Sequence, residues 1–303
     1  MMNTVSFKNR SIELAGHLHL PADFDEGRAY AALVCVHPGS SVKEQTAGLY
    51  AARMAELGFV ALAFDASHQG ESGGEPRFVE DPATRIEDIR CAVDFLTTLA
   101  YVDAHRIGVL GVCAGGGYAV SAAMTDHRIK AVGTVVGAKG GGAFRASGAM
   151  EKLAAIGDQR TREARGEPAL VTNWIPNTPE ELAKTGNHEL DLSEAVDYYR
   201  TARGQHPRSS NQLRFTSLGA LIGFDAFHLV EELLTQPLQI VIGDKVGAFG
   251  SYDAGQELFR RATCTKDLLV VSGASHYDLY DRAEYVGQAV TKLAAFYTEH
   301  LSG

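Results

Sequence analysis

Short apolar runs rich in β-branched residues recur along the chain at residues 31–36, 59–64, 106–110, 131–136, 238–242 and 268–271. Each has the length of a strand buried on both faces. Ahead of them, residues 4–10 and 13–20 alternate apolar and polar with period two around a turn at 8–11, which predicts a leading antiparallel hairpin. Helical patterns fill the gaps. Residues 45–57 end at Gly58, a plausible left-handed stop, and Ile86, Ile89, Val93 and Leu96 recur at three- and four-residue spacing. Strands alternating with amphipathic helices predict an α/β class, with a mostly parallel central sheet covered by helices.

That rhythm stops after residue 136, and about a hundred residues pass before the next strand, too many for an ordinary connection. The interval has a glycine-rich entry (Gly140 to Gly142), a polar helix over 149–165, Pro168, Pro176 and Pro179, and an aromatic-basic stretch with Trp174, Tyr198, Tyr199 and Arg200. It reads as a helical lid inserted at 141–236 into a core formed by 1–140 and 237–303.

Composition narrows the function classes. With 303 residues and a formal net charge of −9, the chain can bury a full core but offers no broad basic surface, so neither nucleic acid nor an anionic membrane is an expected partner. No apolar stretch approaches the ~18 residues of a membrane span, and residues 1–10 lack the apolar core of a secretory signal, so the expectation is a cytoplasmic protein. The four cysteines, Cys35, Cys91, Cys113 and Cys264, form no disulfide framework and no CxxC pair. No dinucleotide fingerprint, phosphate loop or metal-ligand spacing occurs; no cofactor and no metal are expected.

The chemistry concentrates at Gly111-Val-Cys113-Ala-Gly115, which follows an apolar run and precedes a helical segment over 116–124. Strand, sharp turn and helix with glycines two residues either side of the central residue describe a nucleophile elbow, and Cys113 occupies its centre. Such a turn aims backbone N–H groups and a helix N-terminus at the nucleophile, favouring thiolate and a developing oxyanion. Cys35, inside a strand, and Cys91, on a helix, read as structural.

His276 lies just after the last strand, where its ring can reach the strand ends that line the crevice of an open α/β sheet. An imidazole with an ordinary pKa near 6.5 suits a general base. In the chain order nucleophile, acid, base, the carboxylate orienting it follows a strand between Cys113 and His276. Asp244 is the first choice, with Asp225 and Asp253 as alternatives. The oxyanion hole needs two backbone donors: Ala114, after the nucleophile, and Gly39, with Ser40 beside it, in the turn at 37–41. The stretch 65–74 reads as a structural turn at the rim.

Together, the hairpin, the HPGSS turn, the DASHQGESGG loop, the GVCAGG elbow and the GASH histidine resemble the α/β-hydrolase superfamily over nearly the whole chain. The elbow is most similar to that of dienelactone hydrolase, which reads G-Y-C-x-G-G within a Cys-Asp-His triad. That family's glutamate near the thiol is replaced here by Pro38, and its acid falls two residues beyond Asp244, where this chain has Val246. The long insertion, HPGSSVKEQ and GASHYDLYD are closer to bacterial YcjY-like hydrolases and fungal polyketide-transferase-like relatives. The resemblance implies acyl transfer from a small-molecule ester, lactone or thioester to Cys113 and then to water. Transfer to an alcohol or amine is the alternative, and a non-catalytic ligand binder or thiol sensor the reading from another class. A homo-oligomer is compatible with the sequence.

Overall fold

The structure is a computed structural model that describes residues 1–146 and 148–302. Its strands are β1 (Met2–Asn9), β2 (Ile12–His19), β3 (Tyr30–Val36), β4 (Val60–Phe64), β5 (Val102–Val112), β6 (Ile129–Val135), β7 (Val171–Asn173), β8 (Gln212–Arg214), β9 (Leu238–Gly243) and β10 (Lys266–Val271). Eight of them form one sheet in the order β1-β2-β4-β3-β5-β6-β9-β10. β2 runs antiparallel to β1 and β4, and the remaining pairs are parallel. Every residue of β3, β4 and β9 is buried, as expected of strands covered on both faces. The predicted hairpin and all six predicted sheet strands are present, with ends shifted by a few residues.

The helices are α1 (Thr46–Glu56), α2 (Pro82–Thr97), α3 (Ala114–Ala123), α4 (Gly142–Ala146), α5 (Ala149–Ala164), α6 (Pro179–Thr185), α7 (Leu190–Arg200), α8 (Leu218–Gly223), α9 (Val230–Leu233), α10 (Ser251–Arg261), α11 (Asp278–Asp281) and α12 (Ala283–His300). Pro82 opens α2 while the Asp81 carboxylate accepts from the Thr84 N–H, so the helix starts where its first free donors find a partner. Ile89, Val93 and Leu96 then bury against the sheet. α1 and α12 cover the opposite face, where Tyr50 and Tyr297 are fully buried and spend their hydroxyls on the carbonyls of Leu279 and Val109.

Between β6 and β9 the chain leaves the sheet and folds into α4 to α9 with the separate ribbon β7–β8. None of the described helices is long and apolar enough to cross a membrane.

Candidate functional site

Cys113 stands where β5 passes into α3, with φ 53° and ψ −123°, a left-handed conformation that is strained for a side chain bearing a Cβ. The flanking glycines make the turn possible. A Cβ on Gly111 would lie 2.2 Å from the Gly115 carbonyl oxygen, and one on Gly115 would lie 2.3 Å from the Val36 oxygen and 2.8 Å from that of His37. Strand, helix and the turn after β3 thus meet at contact distance around the thiol. The backbone closes the arrangement, with the Cys113 N–H donating to Val135 and the Ala138 N–H to Cys113.

Cys113, Ala114, Gly39 and Ser40 retain partial solvent access, whereas the residues just before each pair are buried. These four are the nucleophile, the two oxyanion donors and their neighbour named from the sequence. Burial pushes the Cys113 thiol up; the Tyr280 hydroxyl and the Ala114 N–H, both facing the sulfur, draw it back. Cys35 and Cys91 lack such partners, and burial raises them to about 12 and about 11. Both pack in the apolar core.

The turn after β3 is held from below. Arg85 Nη2 donates to the His37 carbonyl at 2.5 Å, and His37 Nε2 accepts from the Ala66 N–H at 3.1 Å, which leaves Nδ1–H to donate to Pro38. Arg85 in turn lies 3.7 Å from Glu80, which accepts from Tyr118 at 2.9 Å. This buried chain fixes the carbonyls of the turn after β3 and so the direction of its N–H groups; the sequence reading missed it. The turn at 65–74 is structural as expected, with Asp65 receiving Lys43 at 3.0 Å and Ser67 bonded to Asp88.

His276 is 3% exposed, and burial lowers its pKa to about 3, so its ring is neutral at ordinary pH. Among the described residues its ring hydrogen bonds go to Ser251 Oγ, 3.0 Å from Nδ1, and Tyr280 Oη, 3.2 Å from Nε2. Neither partner was anticipated.

Among the described residues none of the three candidate acids is hydrogen-bonded to His276. Asp244 lies in the expected loop after β9, but its exposed carboxylate accepts from the Gly273 N–H at 2.6 Å and shares no hydrogen bond with His276. Asp225 accepts from Phe227 N–H and faces Lys139 at 3.5 Å, and Asp253 lies in the first turn of α10. The place beside the imidazole's Nδ1 is filled by Ser251, and the loop 244–250 leans on α7. Gly247 packs so closely on Asp191 of α7 that a Cβ there would lie 2.2 Å from its carboxyl carbon. The Phe249 N–H donates to Asp191 at 2.7 Å, and burial raises that carboxyl to about 6.

The segment between β6 and β9 reaches all three loops of the site. Ser209 donates to the Ser40 carbonyl and Gln45 to that of Gly204, both at 2.7 Å, while the Trp174 ring would meet a Cβ on Gly39 at 3.3 Å. Glu189 and Asp191 cap the loop before α10 through Ala248 and Phe249. Arg203 donates to Asp281 at 2.7 and 3.0 Å and to the Tyr277 carbonyl at 2.8 Å. Tyr198 and Tyr199 stack edge-on against Tyr280, forming an aromatic wall with Tyr277 around the histidine. Among the described residues no group of three or more His, Cys, Asp or Glu could hold a metal ion.

Comparison with known proteins extends these local likenesses to the whole chain. The family model described as Dienelactone hydrolase family matches residues 24–141, which include the turn at 37–41 and the strand-helix junction at Cys113. The uncharacterised protein YcjY of Escherichia coli K12 is 44% identical over 99% of this chain and 100% of its own length. The crystal structure of the hypothetical protein PA2218 of Pseudomonas aeruginosa superposes with a TM-score of 0.88 at 34% identity, covering 99% of this chain and 94% of that one. The thiohydrolase aneE of Aspergillus aculeatus is 36% identical over a shorter stretch, 40% of this chain and 36% of its own.

Proposed function

Because the chain belongs to the α/β-hydrolases, in the group of dienelactone hydrolase, and is a hydrolase in the general sense of that group, we propose that it cleaves an ester, lactone or thioester through an acyl-enzyme on Cys113. The observation that carries the reading is the strained Cys113 at φ 53°, largely buried with slight solvent access, with the Ala114 N–H on its sulfur. A residue held in that conformation at a strand-helix junction exposes its side chain to substrate and keeps a helix N-terminus behind it.

The sulfur attacks the carbonyl carbon, and the Ala114 and Gly39 N–H groups receive the oxyanion. His276 takes the thiol proton and returns it to the departing alkoxide or thiolate; water then repeats the sequence and releases the acid. With Nδ1–H donating to Ser251, 3.0 Å away, Nε2 is left as the base. A serine hydroxyl holds the ring but supplies no negative charge to stabilise an imidazolium, so the proton sits on nitrogen only transiently. The segment 141–236 acts as the lid: its contacts on the three site loops keep bulk water from the thioester or ester bond. The aneE name, a thiohydrolase, favours thioesters within this class.

Turnover of p-nitrophenyl esters, lactones and acyl thioesters by wild type and Cys113→Ala tests the reading. We expect at least one carbonyl class to be hydrolysed and Cys113→Ala to lose about 10³-fold or more, in line with removal of a catalytic nucleophile. Undiminished turnover in Cys113→Ala refutes it.

A further inference from the structure

Resting on that reading, we propose that Tyr280 is a catalytic residue whose hydroxyl carries the proton between Cys113 and His276. No direct hydrogen bond joins the thiol to the imidazole among the described residues. Instead, Tyr280 Oη lies 3.2 Å from His276 Nε2 and within hydrogen-bonding reach of the Cys113 sulfur. A base must reach the proton it removes, directly or through one intervening group, and Tyr280 is the group in between.

Its position is dictated by α11. Tyr280 follows His276 by four residues, and its own backbone is tied down: the Thr46 hydroxyl donates to its carbonyl at 3.2 Å, and Tyr50 donates to the neighbouring Leu279 carbonyl at 2.9 Å. The side chain is fully buried, with rings of Tyr198, Tyr199, Tyr277 and His276 around it. A phenol so enclosed has little to gain from ionising, and it can accept one proton while donating another without ever carrying charge.

The hydrogen-bond directions form one consistent chain. In the tautomer the relay uses, His276 Nδ1–H donates to Ser251, 3.0 Å away, and Nε2 is the acceptor. Tyr280 O–H then donates to Nε2, and its oxygen lone pair is left to accept from the Cys113 S–H. As the sulfur attacks, the S–H bond breaks and the S–C bond forms. The thiol proton passes to Tyr280 Oη while the phenolic proton moves to Nε2, and the carbonyl π pair moves onto oxygen. Collapse of the tetrahedral adduct expels the leaving group, which takes a proton back through the same relay. Tyr280 ends each half-reaction as the neutral phenol.

Tyr280→Phe removes the relay and little else. We expect kcat to fall 10- to 100-fold with KM changed less than three-fold, and Cys113 alkylation by iodoacetamide at pH 7 to slow by a similar factor. At pH values where the thiol ionises by itself, the alkylation rates of variant and wild type should converge, which a general packing defect would not produce. Replacing Tyr280 by a ring-fluorinated tyrosine keeps the shape and lowers the phenol pKa, so it should shift the pH profile of kcat while retaining more activity than phenylalanine; this variant serves if Tyr280→Phe fails to fold. Turnover of Tyr280→Phe within three-fold of wild type, alkylation slowed equally at all pH values, or a pH profile unmoved by fluorination overturns the relay. Cys113→Ala measured alongside separates the two claims: inactive Cys113→Ala with a wild-type-like Tyr280→Phe refutes the relay alone, whereas active Cys113→Ala removes the acyl-enzyme reading beneath it.

Discussion

The sheet core and the outer helices of the segment between β6 and β9 are held by different balances of apolar burial and hydrogen bonding. In the core, β3, β4 and β9 are buried from end to end, and α3 buries nine of its ten residues. In the segment, α5 buries only Ile156 and Gln159, and α6 buries none. Its α7 and the stretch 226–234 pack Ala195, Tyr198, Tyr199, Phe227 and Val230 into the apolar layers, and polar clamps tie it to the site loops, Arg203 on Asp281, Ser209 on Ser40, and Glu189 and Asp191 on the loop before α10. Apolar burial gives the core a large cooperative stability, whereas a few hydrogen bonds can open locally without unfolding the rest. The difference sets a core packed throughout by apolar contacts against outer helices that have few of them.

The contrast is sharpest where a substitution attacks packing. Gly115→Val would drive a side chain into the Val36 and His37 carbonyls at less than 3 Å, and we expect a loss of about 4 kcal/mol or more, read as absence of a cooperative melt or of soluble protein. A normal melting curve would show that the elbow is not the tight junction described.

A clamp should behave otherwise. Arg203→Ala removes the hydrogen bonds to Asp281 and Tyr277, and about 1–3 kcal/mol of local stability with them. Hydrogen exchange should quicken in α7 and the loop after it, while the global melting temperature moves by no more than a few degrees. Exchange that speeds up equally in β3 and β5 would mean that segment and core unfold as one unit.

Protonation offers a subtler probe. The unfolded chain takes up a proton on His276 near pH 6.5, but the folded protein does not until about pH 3. Stability therefore falls as pH drops through that window, with a slope approaching about 1.4 kcal/mol per pH unit for one proton. Asp191 opposes it between its ordinary 3.8 and about 6, because there the folded state holds the extra proton. Denaturant titrations of wild type and His276→Gln across pH 4–7 should show a slope difference of that sign; identical slopes would contradict a neutral, buried ring.

The smallest effect is expected at Asp244. Its bond to Gly273 braces an exposed loop, so Asp244→Asn should change turnover by less than about two-fold, since exposed surface substitutions rarely cost more than ~0.5 kcal/mol. Ser251→Ala, which frees the Nδ1 of His276, should cost more. The reverse order would restore Asp244 as the acid of the triad.

These outcomes also mark how far the chain could be read in advance. The sheet and the elbow were legible because they rest on local signals: β-branched runs of strand length, and glycines at positions 111 and 115 where backbones touch. Cys113 and His276 lie where the chain pattern put them, after β5 and after β10. The partner of His276 was not legible, because it depends on how the loop 244–250 lies, and that loop is set by Asp191, more than fifty residues earlier. Arg85 and Glu80 were hidden for the same reason, their role existing only once β3, α2 and α3 are packed. Tyr280 had a visible signal, its place four residues after His276, but its meaning appeared only with the thiol beside it.

The central claim is that acyl groups pass through Cys113. Wild type and Cys113→Ala would be mixed with an acyl thioester or p-nitrophenyl ester, quenched within seconds and weighed as intact protein, with the modified peptide then mapped. The account predicts a mass gain of one acyl group on wild type, located at Cys113 and absent from the variant. Product release without any adduct, together with a Cys113→Ala protein that turns over normally, would contradict it.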